Sequence, residues 1–137
     1  MERSKIMHIG MSLSGIDTYI RYISAFVDTN KFETVVVNGK NEINEKFKDN
    51  NGNIIKNYEL DLVRHFSLLK DIIAIFKICS ILRREKPDLI HAHSSKGGLI
   101  GRISAFIMRI PVIYTPNAFS YLSAEKKIKY KFFLWYE

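Results

Sequence analysis

The stretch DLIHAHSSKGGLIGRISAFIMRIPVIYTP, residues 88–116, decides the fold. Its first six residues read as a short strand, and Pro111 opens a second one, PVIYT, that Pro116 closes. Between them Gly97, Gly101 and Ala105 recur every four positions, a small-residue stripe on a helix expected from about Ser95 to Met108. Such a stripe lets a helix lie close on a sheet, and the same glycines equally suit close approach of a ligand.

Working outward, the same alternation continues. KIMHIGM (5–11) is a first strand, after which Ser14 is expected to cap a helix with Asp17 as the other half of a capping box. Ile16, Tyr19, Ile20, Ile23 and Phe26 follow at helical spacing. FETVVVNG (32–39) is a second strand, β-branched and ended by Asn-Gly. The stretch 38–57 holds seven asparagines and many charges, and is expected to be a solvated connection with at most one short helix. NIIKNYEL (53–60) is a third, weaker strand, followed by a helix from about Ser67 to Arg84 that Pro87 closes. Strands alternating with helices define an α/β fold: a Rossmann-like parallel sheet of about five strands with helices on both faces. Folds of this kind hold ligands beyond the carboxyl ends of their strands, which singles out loops 11–15, 38–41, 93–98 and 115–121.

Composition narrows the class. A chain of 137 residues with 47% apolar residues, three prolines and seven glycines is one folded domain, not a disordered segment. The single cysteine, Cys79, excludes an internal disulfide framework or a cysteine-based zinc site and suits a reducing compartment. The N-terminal apolar run is too short for a signal peptide. FSLLKDIIAIFKICSIL (66–82) is the most apolar window, but Lys70, Asp71 and Lys77 interrupt it, so it is expected to be a buried helix and not a membrane span. A net charge of +7 favours an anionic partner. That charge is scattered and no nucleic-acid motif accompanies it, so nucleic acid is not expected.

Residues 91–102, HAHSSKGGLIGR, admit three kinds of chemistry. As a metal site, His91 and His93 share one face of a strand, but zinc asks for three or four ligands. His8 on the first strand could adjoin them, yet no acid flanks the pair. The preferred reading is one packed histidine and one lining a cleft, with no metal. As a phosphate site, SSKGGLIG opens a helix, where backbone N–H groups and the helix dipole favour an anion. The spacing is neither a Walker loop nor a dinucleotide fingerprint, since the first loop is SLSG and the second strand ends in Asn38 where an acid would hold a ribose. The third reading is sugar transfer.

Three stretches together resemble the N-terminal domain of family 4 glycosyltransferases, which have the two-domain GT-B architecture. SGID (14–17) is similar to the family's Gly-Gly-x-Glu loop, HAHSSKGGLIGR to its His-x-His strand end and Ser/Gly-rich helix start, and YTPNAFSYL (114–122) to its Thr-Pro-His-Gly/Ala-Phe element. The likeness runs through nearly the whole chain in order, and is strongest to enzymes that build capsule, exopolysaccharide or lipopolysaccharide glycans. It implies an acceptor-side domain, with transfer from a nucleotide-sugar, as substrate and without cofactor or metal, to a lipid-linked or polysaccharide acceptor. His93 and Asn117 would stand nearest the reacting sugar, with Ser14, Gly15, Ser94, Ser95, Lys96, Gly97 and Phe119 binding donor or acceptor. Gly15 would approach the donor diphosphate. Ser14 replaces the family's first glycine and Asn117 its usual histidine; asparagine can orient a hydroxyl but cannot titrate near neutral pH.

The family's donor-binding domain and its Glu-x7-Glu element have no counterpart in these residues, so the chain is expected to be a truncated N-terminal portion, inactive alone. The alternative is a non-catalytic module that binds an anionic glycolipid or a separate donor-domain subunit. The tail AEKKIKYKFFLWYE (124–137) interleaves Lys126, Lys127, Lys129 and Lys131 with aromatic residues, a pattern suited to peripheral contact with an anionic membrane through 125–137. The expected location is cytoplasmic, on the inner face of the cytoplasmic membrane.

Overall fold

The structure, a computed structural model, describes residues 3–11, 14–40, 45–62 and 67–117. Within them the chain forms β1 (Ser4–Gly10), α1 (Ser14–Phe26), β2 (Phe32–Gly39), β3 (Lys56–Leu60), α2 (Leu68–Glu85), β4 (Leu89–His93), α3 (Ser95–Met108) and β5 (Val112–Thr115). The five strands make one parallel sheet in the order β3-β2-β1-β4-β5. The expected Rossmann-like α/β architecture is the one observed.

Side-chain alternation along the strands assigns the two faces. Met7, Ile9, Val35, Val37, Ile90 and Ala92 pack on one face with Ala74, Ile78 and Leu82 of α2 and Ile100 and Ala105 of α3. On the other, Val36 meets Ile16 and Ile20 of α1 together with Phe47 and Ile55. Val35, Val36 and Val37 are therefore all fully buried, as a central parallel strand covered on both sides requires.

Helix α1 begins at Ser14, and the Asp17 carboxylate is held 2.6 Å from Arg21 Nε one turn on. Two expectations change. The polar connection 38–57 is more than solvated chain: Phe47 and Ile55 are core residues, because Arg21 covers the Phe47 ring at 4.2 Å and donates to the Lys46 and Glu45 carbonyls. Strand β3 accordingly starts at Lys56, and Ile54 instead bridges Lys48 in an antiparallel turn closed by Asp49. Second, α2 is buried on one side only; Leu68, Leu69, Ile72, Ile73 and Phe76 are exposed. Mean hydropathy over a window cannot tell one covered side from two.

The stripe on α3 is a packing device. A Cβ at Gly97 would lie 3.0 Å from the Gly10 Cα and 3.2 Å from the Ile9 carbonyl oxygen, and one at Gly101 would lie 2.8 Å from the Ala92 Cβ. The Ala92 Cβ is carried by β4 itself and cannot swing aside. Gly101→Ala is therefore expected to destabilise by about 1–2 kcal/mol in urea unfolding, overpacking outweighing the gain of about 1 kcal/mol in helix propensity. A raised unfolding midpoint would show that α3 and β4 are not in close contact there.

The end of the sheet remote from its carboxyl edge is tied by charge. Buried Glu85 accepts from Lys56 Nζ at 2.7 Å and from Tyr58 Oη at 2.5 Å, with Lys5 Nζ at 3.5 Å. Burial pushes the Glu85 carboxyl up, but these bonds and cations prevail and hold it at about 2. The Asp88 carboxylate accepts from the Lys5 N–H at 2.7 Å and its own N–H donates to the Lys5 carbonyl at 2.9 Å, which sets β4 beside β1.

Candidate functional site

From β1 the chain steps outward to β2 and β3, then returns to the other side of β1 for β4 and β5. The switch in direction therefore falls between β1 and β4, and the carboxyl ends of those strands form the crevice where doubly wound sheets hold ligands. Helices α1 and α3 begin at these same strand ends, so two positive dipole ends flank the crevice.

Ser94, between β4 and α3, has φ 61° and ψ 170°, a backbone conformation almost reserved for glycine and costing about 1–3 kcal/mol in other residues. Its N–H donates to the Thr115 carbonyl at 3.0 Å and its carbonyl accepts from Gly98 N–H at 2.7 Å, so both flanks hold it there. Its hydroxyl is buried without a hydrogen-bond partner. Asn117, after β5, has φ 62° and is exposed. Gly15 is exposed in the first turn of α1, with open space where a side chain would be. Gly97 is buried against β1, and Ser95 opens α3 half-buried. Lys96 is engaged: its Nζ lies 2.5 Å from both carboxylate oxygens of Asp71 on α2, and both side chains are about nine-tenths buried. Phe119 and the tail 125–137 lie outside the described residues.

His93 is fully buried. Parallel register places His8 of β1 beside His91 of β4, and the two-residue period brings His93 to the same face. His8 Nδ1 and His93 Nε2 hydrogen-bond at 3.0 Å, His91 Nε2 bonds Thr115 Oγ1 at 2.8 Å, and the Tyr19 ring stands edge-on to His93 at 5.7 Å. Burial, then repulsion from His91, lowers the pKa of His8 to about 3. Burial, then His91 and His8, lowers that of His93 to about 2. Burial also lowers His91. The triad is thus a neutral imidazole cluster in which the buried His93 Nδ1 lacks a hydrogen-bond partner.

One ring nitrogen from each histidine comes within 4.8 Å of the others, so the third ligand that the sequence leaves unplaced is supplied by β1. Two of these imidazoles already bond each other, the third bonds Thr115, and no carboxylate among the described residues joins them. The cluster can orient β1 against β4 and present a polar floor beneath the crevice. Near neutral pH His93 and His8 are neutral imidazoles, each with one ring N–H.

The part played by Tyr19 and Asp71 is absent from the sequence reading, which considers His8 only as a third metal ligand. For His8 a signal exists: it stands as near the end of its strand as His91 does in β4, so pairing of those strands aligns them.

A Rossmann-like sheet whose switch-point crevice lies between two helix N-termini defines a doubly wound α/β domain as its structural class. The fold matches UDP-N-acetylglucosamine 2-epimerase from Rickettsia bellii with TM-score 0.65 at 20% identity, covering 96% of this chain and 36% of that one. It also matches MurG of Acinetobacter baumannii with TM-score 0.63 at 15% identity, over 81% of this chain and 34% of that one. These likenesses concern the fold alone. In sequence, the model of Glycosyltransferase Family 4 matches residues 13–137, and the chain belongs to that family. It is 36% identical over 77 residues to the Escherichia coli UDP-Gal:alpha-D-GlcNAc-diphosphoundecaprenol alpha-1,3-galactosyltransferase, covering 56% of this chain and 20% of the enzyme. It is 30% identical over 92 residues to the capsular polysaccharide biosynthesis glycosyltransferase CapM of Staphylococcus aureus, covering 62% of this chain and 23% of that protein. The chain thus spans about a fifth of the length of these curated relatives. No described helix is long and apolar enough to cross a membrane.

Proposed function

We propose that residues 1–137 form the N-terminal, acceptor-side part of a GT-B glycosyltransferase, which transfers a sugar from a nucleotide-sugar to a lipid-linked or polysaccharide acceptor in cell-surface glycan synthesis. Support comes from family membership and from the named activities of the two curated relatives. The geometric observation that carries the reading is Ser94: a non-glycine residue held in a glycine-like conformation, with a buried unsatisfied hydroxyl, at the switch-point crevice.

In this reading the α1 N-terminus, through Ser14 and Gly15, approaches the donor diphosphate. Ser94, Ser95 and Asn117 meet hydroxyl groups of the reacting sugar or acceptor. Gly97 and Lys96 set the position of the α3 start, the first by close packing on β1 and the second through Asp71. His93 acts by position, as the polar floor, since burial keeps its imidazole neutral near pH 7. One half of a cleft cannot hold both reactants, so this chain alone is expected to give no multiple turnover.

The test titrates the isotope-labelled chain with nucleotide-sugars and a short-chain lipid-diphosphate sugar, following amide shifts. Perturbations are expected at Gly15, Ser94, Ser95 and Asn117. Ser94→Gly is expected to stabilise the fold by about 1 kcal/mol and to weaken the acceptor response severalfold. Perturbations confined to the other end of the sheet, or sustained turnover by the 137 residues, would overturn the assignment.

A further inference from the structure

The exposed side of α2 is a second amphipathic face. Leu69, Ile72, Ile73 and Phe76 stand at i, i+3, i+4 and i+7, one stripe along the helix, and are 76, 41, 53 and 72% exposed. Leu68 extends the stripe. This stripe lies opposite the one that Ala74, Ile78, Ile81 and Leu82 bury in the core.

The charges of the helix are sorted in the same way. Both acids, Asp71 and Glu85, are turned inward and paired, Asp71 with Lys96 and Glu85 with Lys5 and Lys56. Every exposed charge on α2 is therefore a cation: Lys70, Lys77, Arg83 and Arg84, the last of which also lies over the Tyr58 ring and 3.8 Å from Glu85. Position adds to this. Asp71 ties the start of α2 to the start of α3, so the stripe begins at the rim of the crevice.

We propose that the outer face of α2 docks on an anionic lipid bilayer, the helix lying in the interface with its apolar stripe at the acyl boundary and its cations among the headgroups. A second copy of the chain fits this face poorly, because pairing would oppose the same four cations in a protein of net charge +7. An anionic surface satisfies stripe and cations together. Docked there, the crevice opens next to the membrane plane. The inference does not rest on the reaction proposed above.

Flotation of the full chain with phosphatidylglycerol–phosphatidylethanolamine vesicles tests it, with phosphatidylcholine vesicles as the uncharged comparison. Binding to the anionic vesicles is expected, weakened by salt. Phe76→Ser with Leu69→Ser should abolish it. Lys70→Glu with Lys77→Glu should lower it by at least about fivefold per cation changed. All four positions are exposed, so circular dichroism and the unfolding midpoint should stay near those of the parent. Amide shifts with a short-chain acceptor should also be unchanged, which separates this docking from the reaction. Flotation of the α2 variants equal to the parent would overturn the proposal, as would its loss only when Lys126, Lys127, Lys129 and Lys131 are changed to Glu. A dimer that Phe76→Ser dissociates, with no vesicle binding by the parent, would also overturn it and assign the face to self-association.

Discussion

Moving this protein from pH 7 to pH 5 is expected to remove about 4 kcal/mol of folding stability, most of it through His8 and His93. In the unfolded chain each imidazole takes up a proton near pH 6.5. In the fold, burial and mutual repulsion hold them neutral until about pH 3 for His8 and about 2 for His93. Below pH 6.5 the unfolded state therefore binds more protons than the native one, and stability falls as pH falls. The slope approaches about 1.4 kcal/mol per pH unit for each histidine. His91 shifts in the same direction and adds to it. Glu85 does not confuse this window: its folded pKa of about 2 lies below its unfolded value of 4.5, so its stabilisation is lost only under more acid conditions. Urea unfolding at stepped pH measures the effect, with the His8→Asn, His93→Asn double variant as comparison. A parent curve as flat as that of the double variant between pH 7 and 5 would show that the histidines are not buried neutral.

The second large effect concerns Asp71. Asp71→Ala is expected to cost about 3–5 kcal/mol, the scale for removing one partner of a buried ion pair, because Lys96 keeps its burial and loses its carboxylate. Asp71 also accepts from the Ser67 N–H at 3.3 Å, so the start of α2 loosens as well. Replacing both partners with apolar residues of similar size, Asp71→Leu with Lys96→Met, is expected to recover most of the loss. The coupling in the double-mutant cycle is the measured quantity. Additive losses would mean that the pair is solvated and that α2 and α3 are not joined there. If they are joined, Asp71→Ala should also disturb the amide of Ser94, because the pair fixes the end of α3 on which that residue depends.

Much of this architecture is legible in residue order. The β-branched run 32–39, the short run 88–93, the helical spacing after Ser14, and Pro87 and Pro111 as punctuation mark the observed elements to within a few residues. The poorest agreement falls at 38–57, where polar composition hides Phe47: its cover is Arg21, from a helix two elements away, and no local pattern announces that partner. The site divides along the same line. The positions of Ser94, Ser95 and Asn117 beyond strand ends follow from strand order, but the positive φ of Ser94 does not. Serine carries no local mark of that conformation; the bonds to Thr115 and Gly98 impose it.

By itself, then, the sequence determined what short-range periodicity encodes: among the described residues five strands and three helices, and a ligand edge at the strand carboxyl ends, with three motifs that resemble family 4 glycosyltransferases. Tertiary structure decided everything that depends on residues distant in the chain. It joined His8 to His93 across 85 positions and Lys96 to Asp71 across 25. It gave the glycines of α3 a packing role and left one side of α2 apolar, cationic and uncovered. The physical reason is common to all four. Hydrophobic period fixes which side of an element faces a core, whereas strand order and helix placement fix what, if anything, stands against the other side.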